Sequence, residues 1–347
     1  MRIRLVDVAR AAGVSRGTAS NVFNAPDMVR PELRERVLAA ARELGYLGPD
    51  ARGRLLRDGR FNTIGVMAPS DWGVGDALGN GVFRQFLQGV AEVCDHAGYS
   101  LLLVPDGTSS RGITAALADG FIFGRVEHMH QIEPARLRRS PFAVVDFDPG
   151  PGINAVRVDS RAGALASARH LLELGHRHFA IMSFRREAGP SRYHAPGQHR
   201  PAEAAGMPTD QEKYIGYGLA LREAGIDIES VPMLQANPAD PAAAAQLLDL
   251  APQATAILSM SVMQGIGILA EAGRRGLLVP RDLSVVAYND LPEAAAATPA
   301  LTTVDGMGLE KGRIAARLVL EAGAPRQEVL QPRLLLRAST GPAPSRR

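Results

Sequence analysis

The hydrophobic pattern of this chain changes near residue 62. Beyond that point, short apolar runs typical of buried strands alternate with longer stretches that have the period of a helix. The predicted strands are residues 63–68, 99–104, 120–123 and 142–145 in a first series, and 179–182, 255–258 and 283–287 in a second. Predicted helices lie between them, over residues 83–97, 166–174, 214–224 and 265–275. Strands and helices that alternate in this way predict parallel sheets covered by helices.

Two such series predict an α/β body with two similar Rossmann-like lobes. In sheets of this kind a ligand binds at the carboxyl ends of the strands, so the two lobes would face a shared cleft. Residues 185–211 interrupt the pattern with proline and glycine breaks, and we predict a mobile lid there instead of regular structure. The body is therefore expected to bind a small molecule.

Before residue 62 the pattern predicts a small all-α unit. Residues 5–12 predict a helix that ends at Gly13, which can adopt the positive φ of a tight turn. Ser15 is a natural N-cap for a second helix over residues 16–23. A third helix is predicted from Pro31 to Gly45. Apolar side chains on the inner faces would form a small core, made of Val8, Ala9, Val14, Ala19, Val22, Val37, Leu38, Ala41 and Leu44.

The outer face of the second helix carries small or hydrogen-bonding residues: Arg16, Gly17, Thr18, Ser20 and Asn21. Such a face fits the major groove of DNA, where side chains meet the donors and acceptors of the base edges. The pattern predicts a helix-turn-helix head. Two helices around a glycine turn are common, however, so this pattern alone indicates DNA binding only weakly.

The charge distribution favours the same interpretation. Residues 1–60 carry twelve Arg against seven acidic residues, a net charge of +5, whereas the remainder carries −2. A basic head on a nearly neutral body is typical of nucleic-acid binding. A compositional preference for arginine is the alternative, because only Lys213 and Lys311 among the 39 basic residues are lysines. Charge therefore supports DNA binding without deciding it.

Several classes of protein are disfavoured. No apolar run approaches the roughly 20 residues that span a bilayer, and the N-terminus lacks the apolar segment of a secretory signal. A cytoplasmic protein without membrane contact is expected. The single Cys94, expected to be a small buried residue on a helix, excludes an intrachain disulfide and a multi-cysteine metal site. No GxSxG, Walker or HExxH motif occurs, so no enzyme activity, metal or cofactor is expected.

The stretch VDVARAAGVSRGTASNVFN, followed by RERVLAAARELGY, resembles the DNA-binding head of the lactose-repressor (LacI/GalR) family. The resemblance implies that Arg16, Gly17 and Asn21 occupy the variable base-reading positions. Arg pairs with guanine and Asn with adenine, so Arg16 and Asn21 are the candidate specificity residues. Phosphate contact or solvation is the alternative for each. The resemblance places five further residues of the head at the DNA: Leu5, Ser15, Thr18, Ser20 and Asn24.

Residues 49–61 resemble the hinge helix of the same family. In that family the hinge folds on DNA, and a leucine enters the minor groove, where unstacking is repaid by contacts to bent DNA. Leu56 matches this leucine if Gly48 is a one-residue insertion, and Leu55 matches it otherwise. Arg52 would contact DNA nearby. A plain linker is the alternative, because the segment is rich in Arg, Gly and Asp.

Four segments of the body lie in family order: IGVMAPS, HLLELGHRHFAIM, GLLVPRDLSVVAYND and TPALTTV. The resemblance implies a type I periplasmic-binding-protein fold over residues 62–347, after a head at 1–48 and a hinge at 49–61. The first lobe would comprise about residues 62–157 and 291–324, and the second about 158–289 and 326–340. The chain would cross between the lobes near residues 156–159, 289–291 and 324–327.

The effector-binding residues that the resemblance implies depart from the family's sugar-binding pattern. Lys213 stands where Arg is common, which removes a planar two-pronged donor. Ser261-Val262 replaces an Asn-Asp pair, and Asn289 replaces an Asp. Other expected contacts remain, from Asp146, Asp290, Ser70 and Trp72, the last with a stacking face. The replacements predict an effector other than a simple unmodified sugar.

These expectations describe a sequence-specific DNA-binding transcriptional regulator, a repressor by the family default. It would bind a palindromic double-stranded operator as a homodimer, controlled by a small-molecule effector in the inter-lobe cleft. The C-terminal residues contain no leucine heptad of the kind that would build a tetramer. The alternative is a cytosolic small-molecule-binding protein of the same body fold without operator-specific regulation.

Overall fold

The computed structural model describes residues 3–48, 59–68, 73–105, 111–124, 126, 129–185, 190–202, 207–321 and 323–345. The chain forms two compact units, residues 1–61 and 62–347. Each unit has a hydrophobic core of its own, a single small one in the first unit and several larger ones in the second.

The first unit contains three α-helices among its described residues: α1 (Leu5–Ala11), α2 (Arg16–Asn24) and α3 (Pro31–Leu44). Gly13 and Gly45 adopt φ values of +62° and +68°, which confirms the turns predicted after the first and third helices. The Ser15 hydroxyl accepts a 3.0 Å bond from the Thr18 amide, which confirms the predicted N-cap of α2. Arg30, the N-cap of α3, makes no side-chain capping bond.

The core of the first unit has the predicted composition. Val8, Ala19, Val22 and Val37 are almost fully buried, and Val14, Leu38 and Leu44 pack partly buried against them. Phe23 and Tyr46 close one side of the core in an edge-to-face contact with ring centroids 5.6 Å apart. The inner face of α2 is therefore fixed by packing, and its outer face is left to solvent.

The second unit alternates strands and helices along the chain. In order, its elements are β1 (Thr63–Met67), α4 (Val74–Gly79), α5 (Gly81–Ala97), β2 (Ser100–Val104), α6 (Arg111–Ala115), β3 (Gly120–Phe123), α7 (Glu133–Arg138), β4 (Phe142–Val145), β5 (Asn154–Val158), α8 (Ser160–Glu173), β6 (Phe179–Phe184), β7 (Arg192–His194), α9 (Pro208–Glu223), β8 (Met233–Ala236), α10 (Ala243–Leu250), β9 (Ala256–Ser259), α11 (Val262–Arg274), β10 (Ser284–Tyr288), α12 (Pro292–Ala296), β11 (Thr302–Asp305), α13 (Gly308–Leu320), β12 (Gln327–Leu330) and β13 (Arg333–Leu335).

The strands form two sheets, one in each lobe. The first sheet has the order β12-β5-β4-β3-β1-β2, and all its pairings are parallel. The second has the order β13-β11-β10-β9-β6-β8-β7, parallel except for the antiparallel edge strands β13 and β7. Helices α5 and α13 pack on the first sheet, and α8 and α9 on the second. The predicted two-lobed α/β architecture is confirmed.

Two of the three predicted lobe crossings are wrong. Residues 302–305 were expected in the first lobe, but β11 pairs in parallel with β10 and belongs to the second sheet. Residues 327–330 were expected in the second lobe, but β12 pairs with β5 in the first sheet. After β5, the chain therefore crosses between β11 and α13 and again between β12 and β13. The first difference arises because β11 lies inside the second sheet, between β13 and β10, where Thr302 and Thr303 are fully buried.

The segment predicted to be a lid is partly regular. Strand β7 pairs with β8 from Arg192 opposite Gln235 to His194 opposite Met233, and so extends the second sheet by one edge strand. Helix α9 begins at Pro208, earlier than the predicted start at residue 214, since a proline is well placed in the first turn. The prediction that this segment lacks regular structure is therefore wrong for its described residues.

The single cysteine is buried in the core of the first lobe, on α5, as predicted. Burial raises the pKa of the Cys94 thiol above its ordinary value. In the part of the chain that the structure describes, no helix is long and apolar enough to cross a bilayer. The same residues hold no group of three or more His, Cys, Asp or Glu side chains arranged for a metal ion.

Candidate functional site

The outer face of α2 is the candidate DNA-binding surface. Arg16, Gly17 and Asn21 are exposed, while Ala19 and Val22 of the same helix point into the core. The helix therefore presents its predicted base-reading positions to solvent on one side. Charge and hydrogen-bonding capacity on a rigid helix are what a major-groove contact requires.

Hydrogen bonds within the head orient the smaller polar residues of this face. The Ser15 and Thr18 hydroxyls are 2.9 Å apart. The Asn24 amide donates to the Ser20 carbonyl at 2.9 Å and to its hydroxyl at 3.0 Å. Leu5 is half-buried at the start of α1, where it packs against the core. The predicted hinge contacts Arg52 and Leu56 lie outside the described residues.

A cavity of about 190 Å³ lies between the two lobes, at the carboxyl ends of several strands. It is lined by four of the predicted effector residues, Asp146, Lys213, Ser261 and Asn289. Ser70 and Trp72 lie outside the described residues. The structure therefore brings residues that are 143 positions apart in the sequence, from Asp146 to Asn289, to one site.

The second lobe contributes an enclosed ammonium group to the cavity wall. The Nζ of Lys213 donates to Asp210 Oδ1 at 2.8 Å and to the Met260 carbonyl at 3.2 Å. It also lies 4.6 Å from the ring centroid of Tyr288, within the range of a cation–π contact. The Tyr288 hydroxyl donates to the Ser160 carbonyl at 3.3 Å. Burial raises the pKa of the Tyr288 phenol, which therefore stays protonated.

The first lobe contributes a second ion pair. Lys311, at the start of α13, donates from its Nζ to Asp146 Oδ2. Asp146 follows β4 and has a φ of +56°, a left-handed conformation that Asp tolerates better than most residues. The pair lines the cavity directly, since both residues are among those that enclose it.

Asn289 follows β10 and also has a left-handed backbone, with a φ of +71°. Its side chain packs against Gly306, where an added Cβ would lie 2.1 Å from Asn289 Oδ1. Ser261 is the N-cap of α11, but its hydroxyl makes no capping bond. The amide of Asn289 and the hydroxyl of Ser261 thus supply polar groups on the second lobe's side of the cavity.

Asp290 does not line the cavity, contrary to the prediction. Its Oδ1 accepts bonds of 2.7 Å from both Arg337 Nη1 and the Thr303 hydroxyl. Its backbone carbonyl accepts a 2.9 Å bond from Gln85 of the first lobe. The carboxylate is turned away because Arg337, 47 residues later in the chain, neutralises it. Asp290 therefore fastens the C-terminal segment to the sheet.

The structure adds cavity residues that the sequence analysis missed. Lys311 is the most informative, and a signal for it existed, because it is one of only two lysines in the chain and both lie at the cavity. The others include five polar residues, Asn80, Ser160, Thr209, Asp210 and Tyr288, and apolar side chains without any chemical motif, among them Phe83, Phe86, Phe184, Met207 and Met260. Such residues are found only once the lobes are folded, because hydrophobic residues occur throughout the sequence.

A helix-turn-helix head on the same chain as a two-lobed body with a cleft cavity defines a ligand-responsive DNA-binding protein. Two family models match the corresponding regions. Residues 4–48 match bacterial regulatory proteins of the lacI family, and residues 168–340 match the periplasmic binding protein-like domain. The two matches fall on the head and on the body, respectively.

The chain is 31% identical over 358 residues to an HTH-type transcriptional regulator of Mycobacterium tuberculosis, with 98% of each chain covered. It is 30% identical over 366 residues to the HTH-type transcriptional regulator MalR of Streptomyces coelicolor, covering 100% of this chain and 99% of that protein. The chain belongs to the lacI family and is a DNA-binding transcriptional regulator.

Solved structures share the fold. The lac repressor dimer bound to operator and the anti-inducer ONPF has a TM-score of 0.79 at 22% identity, and covers 98% of this chain and 100% of its own. The transcriptional regulator CelR in complex with cellobiose has a TM-score of 0.65 at 26% identity, with 97% and 100% covered. The likeness spans head and body in both cases.

Proposed function

We propose that this regulator is a repressor that binds a palindromic operator as a homodimer in the cytoplasm and catalyses no reaction. A small molecule in the inter-lobe cavity would set its affinity for the operator. The observation that carries the proposal is the presence, on one chain, of an exposed recognition helix and of a cavity that both lobes enclose. A ligand that contacts both lobes favours one lobe arrangement over others, and so can bias DNA binding.

The DNA contacts fall into two groups under this proposal. Arg16 and Asn21 read bases, because they are exposed on α2 and have the donor geometry for guanine and adenine. The remaining contacts position the head on bases and phosphates, through Leu5, Ser15, Gly17, Thr18, Ser20 and Asn24. Arg52 and Leu56 of the hinge would act in the minor groove beside them.

A two-fold operator requires two heads, so the homodimer is part of the proposal. The body of the lac repressor, described as a dimer in its operator complex, has the same fold. Light scattering of the full-length protein is expected to give the mass of two chains of 36.9 kDa. A monomer at micromolar concentration, or a tetramer, would contradict this part of the proposal.

The effector contacts under this proposal are Asp146, Lys213, Ser261 and Asn289, together with Ser70 and Trp72. Lys213 lines the cavity and also supports its wall, through its bonds to Asp210 and the Met260 carbonyl. The effector is not a simple unmodified sugar. The sugar-binding pattern has an arginine guanidinium at position 213 and carboxylates at positions 262 and 289, and all three are absent here.

The decisive experiment is a titration of the DNA upstream of the protein's own gene with the full-length protein, followed by fluorescence anisotropy at low and at high salt. We expect saturable binding that weakens as salt rises, because phosphate contacts release counterions. Arg16→Ala should weaken specific binding by about ten- to a hundredfold and relax sequence preference, as a lost bidentate base contact does. Arg36→Ala is the matched control, since it removes one exposed charge from α3 but none from the outer face of α2.

No binding at low salt would overturn the regulator's proposed operator contacts. If small molecules still stabilised the body in that case, the chain would be a ligand-binding protein without operator-specific regulation. Equal losses for Arg16→Ala and Arg36→Ala on specific and scrambled DNA would show instead that α2 contributes charge alone.

A further inference from the structure

The inter-lobe cavity is small, and aromatic and thioether side chains form part of its wall beside polar ones. Its volume of about 190 Å³ compares with about 150 Å³ for an apolar cavity that holds one benzene ring. Aromatic and thioether side chains reach it from both lobes: Phe83, Phe86, Phe184, Met207, Met260 and Tyr288. Walls of this kind stack on a flat ring. A pyranose carries hydroxyls around its whole rim, and those that face these six side chains would lack a polar partner once buried.

Most of the hydrogen-bonding capacity of the Lys213 ammonium is used within the second lobe. An ammonium group has three donors. Two of them meet Asp210 Oδ1 and the Met260 carbonyl, and the ammonium also lies 4.6 Å from the ring centroid of Tyr288. Lys213 and Asp210 are 6% and 0% exposed. The Lys213 ammonium therefore supports the wall and has at most one hydrogen for an effector.

The Lys311–Asp146 pair does offer polar contacts. Asp146 Oδ2 is the only acceptor that the described part of the chain provides for the Lys311 ammonium, which leaves two of its donors for a ligand. Asp146 Oδ1 is likewise left as an acceptor on the same pair. The Lys311 side chain is 8% exposed and that of Asp146 26%, so the ammonium is buried and the carboxylate keeps some contact with solvent. The cavity thus presents a donor and an acceptor side by side, with no net charge.

We propose that the effector is an uncharged molecule with a single flat apolar ring and a hydroxyl group on one edge. This inference rests on the proposed function, because it takes the inter-lobe cavity as the effector site. A hydroxyl both donates and accepts, so one such group bonds Asp146 and Lys311 together. A carboxylate would meet Lys311 but lie beside Asp146, and an ammonium group would meet Asp146 but lie beside Lys311. Either would bring an unbalanced charge into a shielded site.

The use of lysine at this position fits the same geometry. Arginine occupies every basic position of the chain except 213 and 311. A guanidinium is a broad planar fork with five donors, whereas an ammonium group is compact. A compact ammonium group beside Asp146 occupies less of the cavity than a guanidinium would, which leaves more space for the ring of the effector.

The test uses three single-ring probes of nearly equal size: benzyl alcohol, benzoate and benzylamine, which is protonated at pH 7. Dissociation constants are measured with the full-length protein by NMR titration, with glucose as a fourth probe. We expect benzyl alcohol to bind at least about tenfold more tightly than either charged probe, the factor that 1.4 kcal/mol represents. Glucose should bind more weakly than benzyl alcohol. A charged probe or glucose that binds as tightly would overturn the proposal.

Two variants of the pair should change the ranking in opposite directions. Asp146→Asn leaves the Lys311 charge unbalanced, so benzoate should gain at least about tenfold relative to benzyl alcohol. Lys311→Met leaves the Asp146 charge, so benzylamine should gain by a similar factor. The matched control is Asp148→Asn. Asp148 lies on the same loop as Asp146, but its carboxylate is 54% exposed and pairs with Arg157. The control should keep the wild-type ranking.

The variants also guard against a merely structural effect, because a loss of folding would weaken all probes together and would not exchange their order. An unchanged order in both variants would overturn the proposal. If Asp146→Asn fails to fold, the wild-type and Lys311→Met rankings still decide the outcome. Operator affinity measured on the same preparations separates the two proposals. Intact operator binding with the wrong probe order removes only the effector class, whereas lost operator binding with the expected order removes only the repressor.

Discussion

Each lobe places one lysine–aspartate pair at the cavity, and the two pairs are built differently. Lys213 and Asp210 lie three residues apart on one helix, and both are enclosed. Lys311 and Asp146 are 165 residues apart in the sequence, and the carboxylate remains partly exposed. The first pair can form as soon as α9 forms, whereas the second requires the first lobe to be folded. The same two residue types therefore support a wall in one lobe and face the ligand in the other.

The largest expected effect comes from breaking the enclosed pair. Lys213→Met should leave Asp210 as a buried carboxylate without its cation and should lower the free energy of unfolding by about 3–5 kcal/mol. Urea unfolding followed by circular dichroism measures this change. Leu219→Met, a nearby half-exposed position on the same helix, is the control and should cost less than about 1 kcal/mol. A loss below 1 kcal/mol for Lys213→Met would show that the pair does not support the wall.

Breaking the other pair sharpens the comparison. Lys311→Met should lower the free energy of unfolding by only about 1 kcal/mol, because Asp146 keeps some contact with water and partly screened pairs contribute little. The same urea titration gives the value. A loss as large as that of Lys213→Met would mean that both pairs are structural, and would remove the distinction between the lobes.

The smallest effect concerns pH. Burial lowers the pKa of His176, which is fully enclosed in the second lobe by Thr255, Ser284 and Gly341. The folded state therefore resists a proton that the unfolded chain accepts near the ordinary value of 6.5. This contribution to stability is present above pH 6.5 and is lost as the pH falls below it.

Hydrogen exchange at pH 7.5 and 5.5 tests this asymmetry. Amides of β9 and β10 in the second lobe should lose more protection on acidification than those of β1 and β3 in the first. His176→Gln should reduce the difference between the two pH values, even if it lowers stability at both. Equal losses in the two lobes, unaffected by the variant, would contradict the assignment.

Features that depend on near neighbours were predictable from the sequence. The Ser15 cap and the turns at Gly13 and Gly45 follow from residues only a few positions apart, and the small core of the head follows from the apolar faces of three short helices. Alternating strands and helices also predicted the two-lobed body. In each case the sequence signal and the structural contact lie within the same short segment.

Features that depend on distant partners were not predictable in this way. The two misassigned strands, β11 and β12, have compositions that either sheet could accept, and only their pairing decides between them. Asp290 was predicted to contact the effector, but its carboxylate pairs with Arg337 instead. The apolar walls of the cavity had no sequence motif. Lys311 was recognised as a cavity residue only from its ion pair with Asp146. Tertiary contacts decided each of these.

The three crossings between the lobes limit how such a protein can be recombined. Strands β12 and β13, separated by two residues, end different sheets, so neither lobe is one continuous stretch of sequence. A continuous gene fragment cut between the lobes would separate β12 or β13 from the strand with which it pairs. Residues 1–61, by contrast, form one uninterrupted unit. The head, or the body as a whole, can therefore be exchanged between relatives as one stretch of sequence, whereas a single lobe cannot.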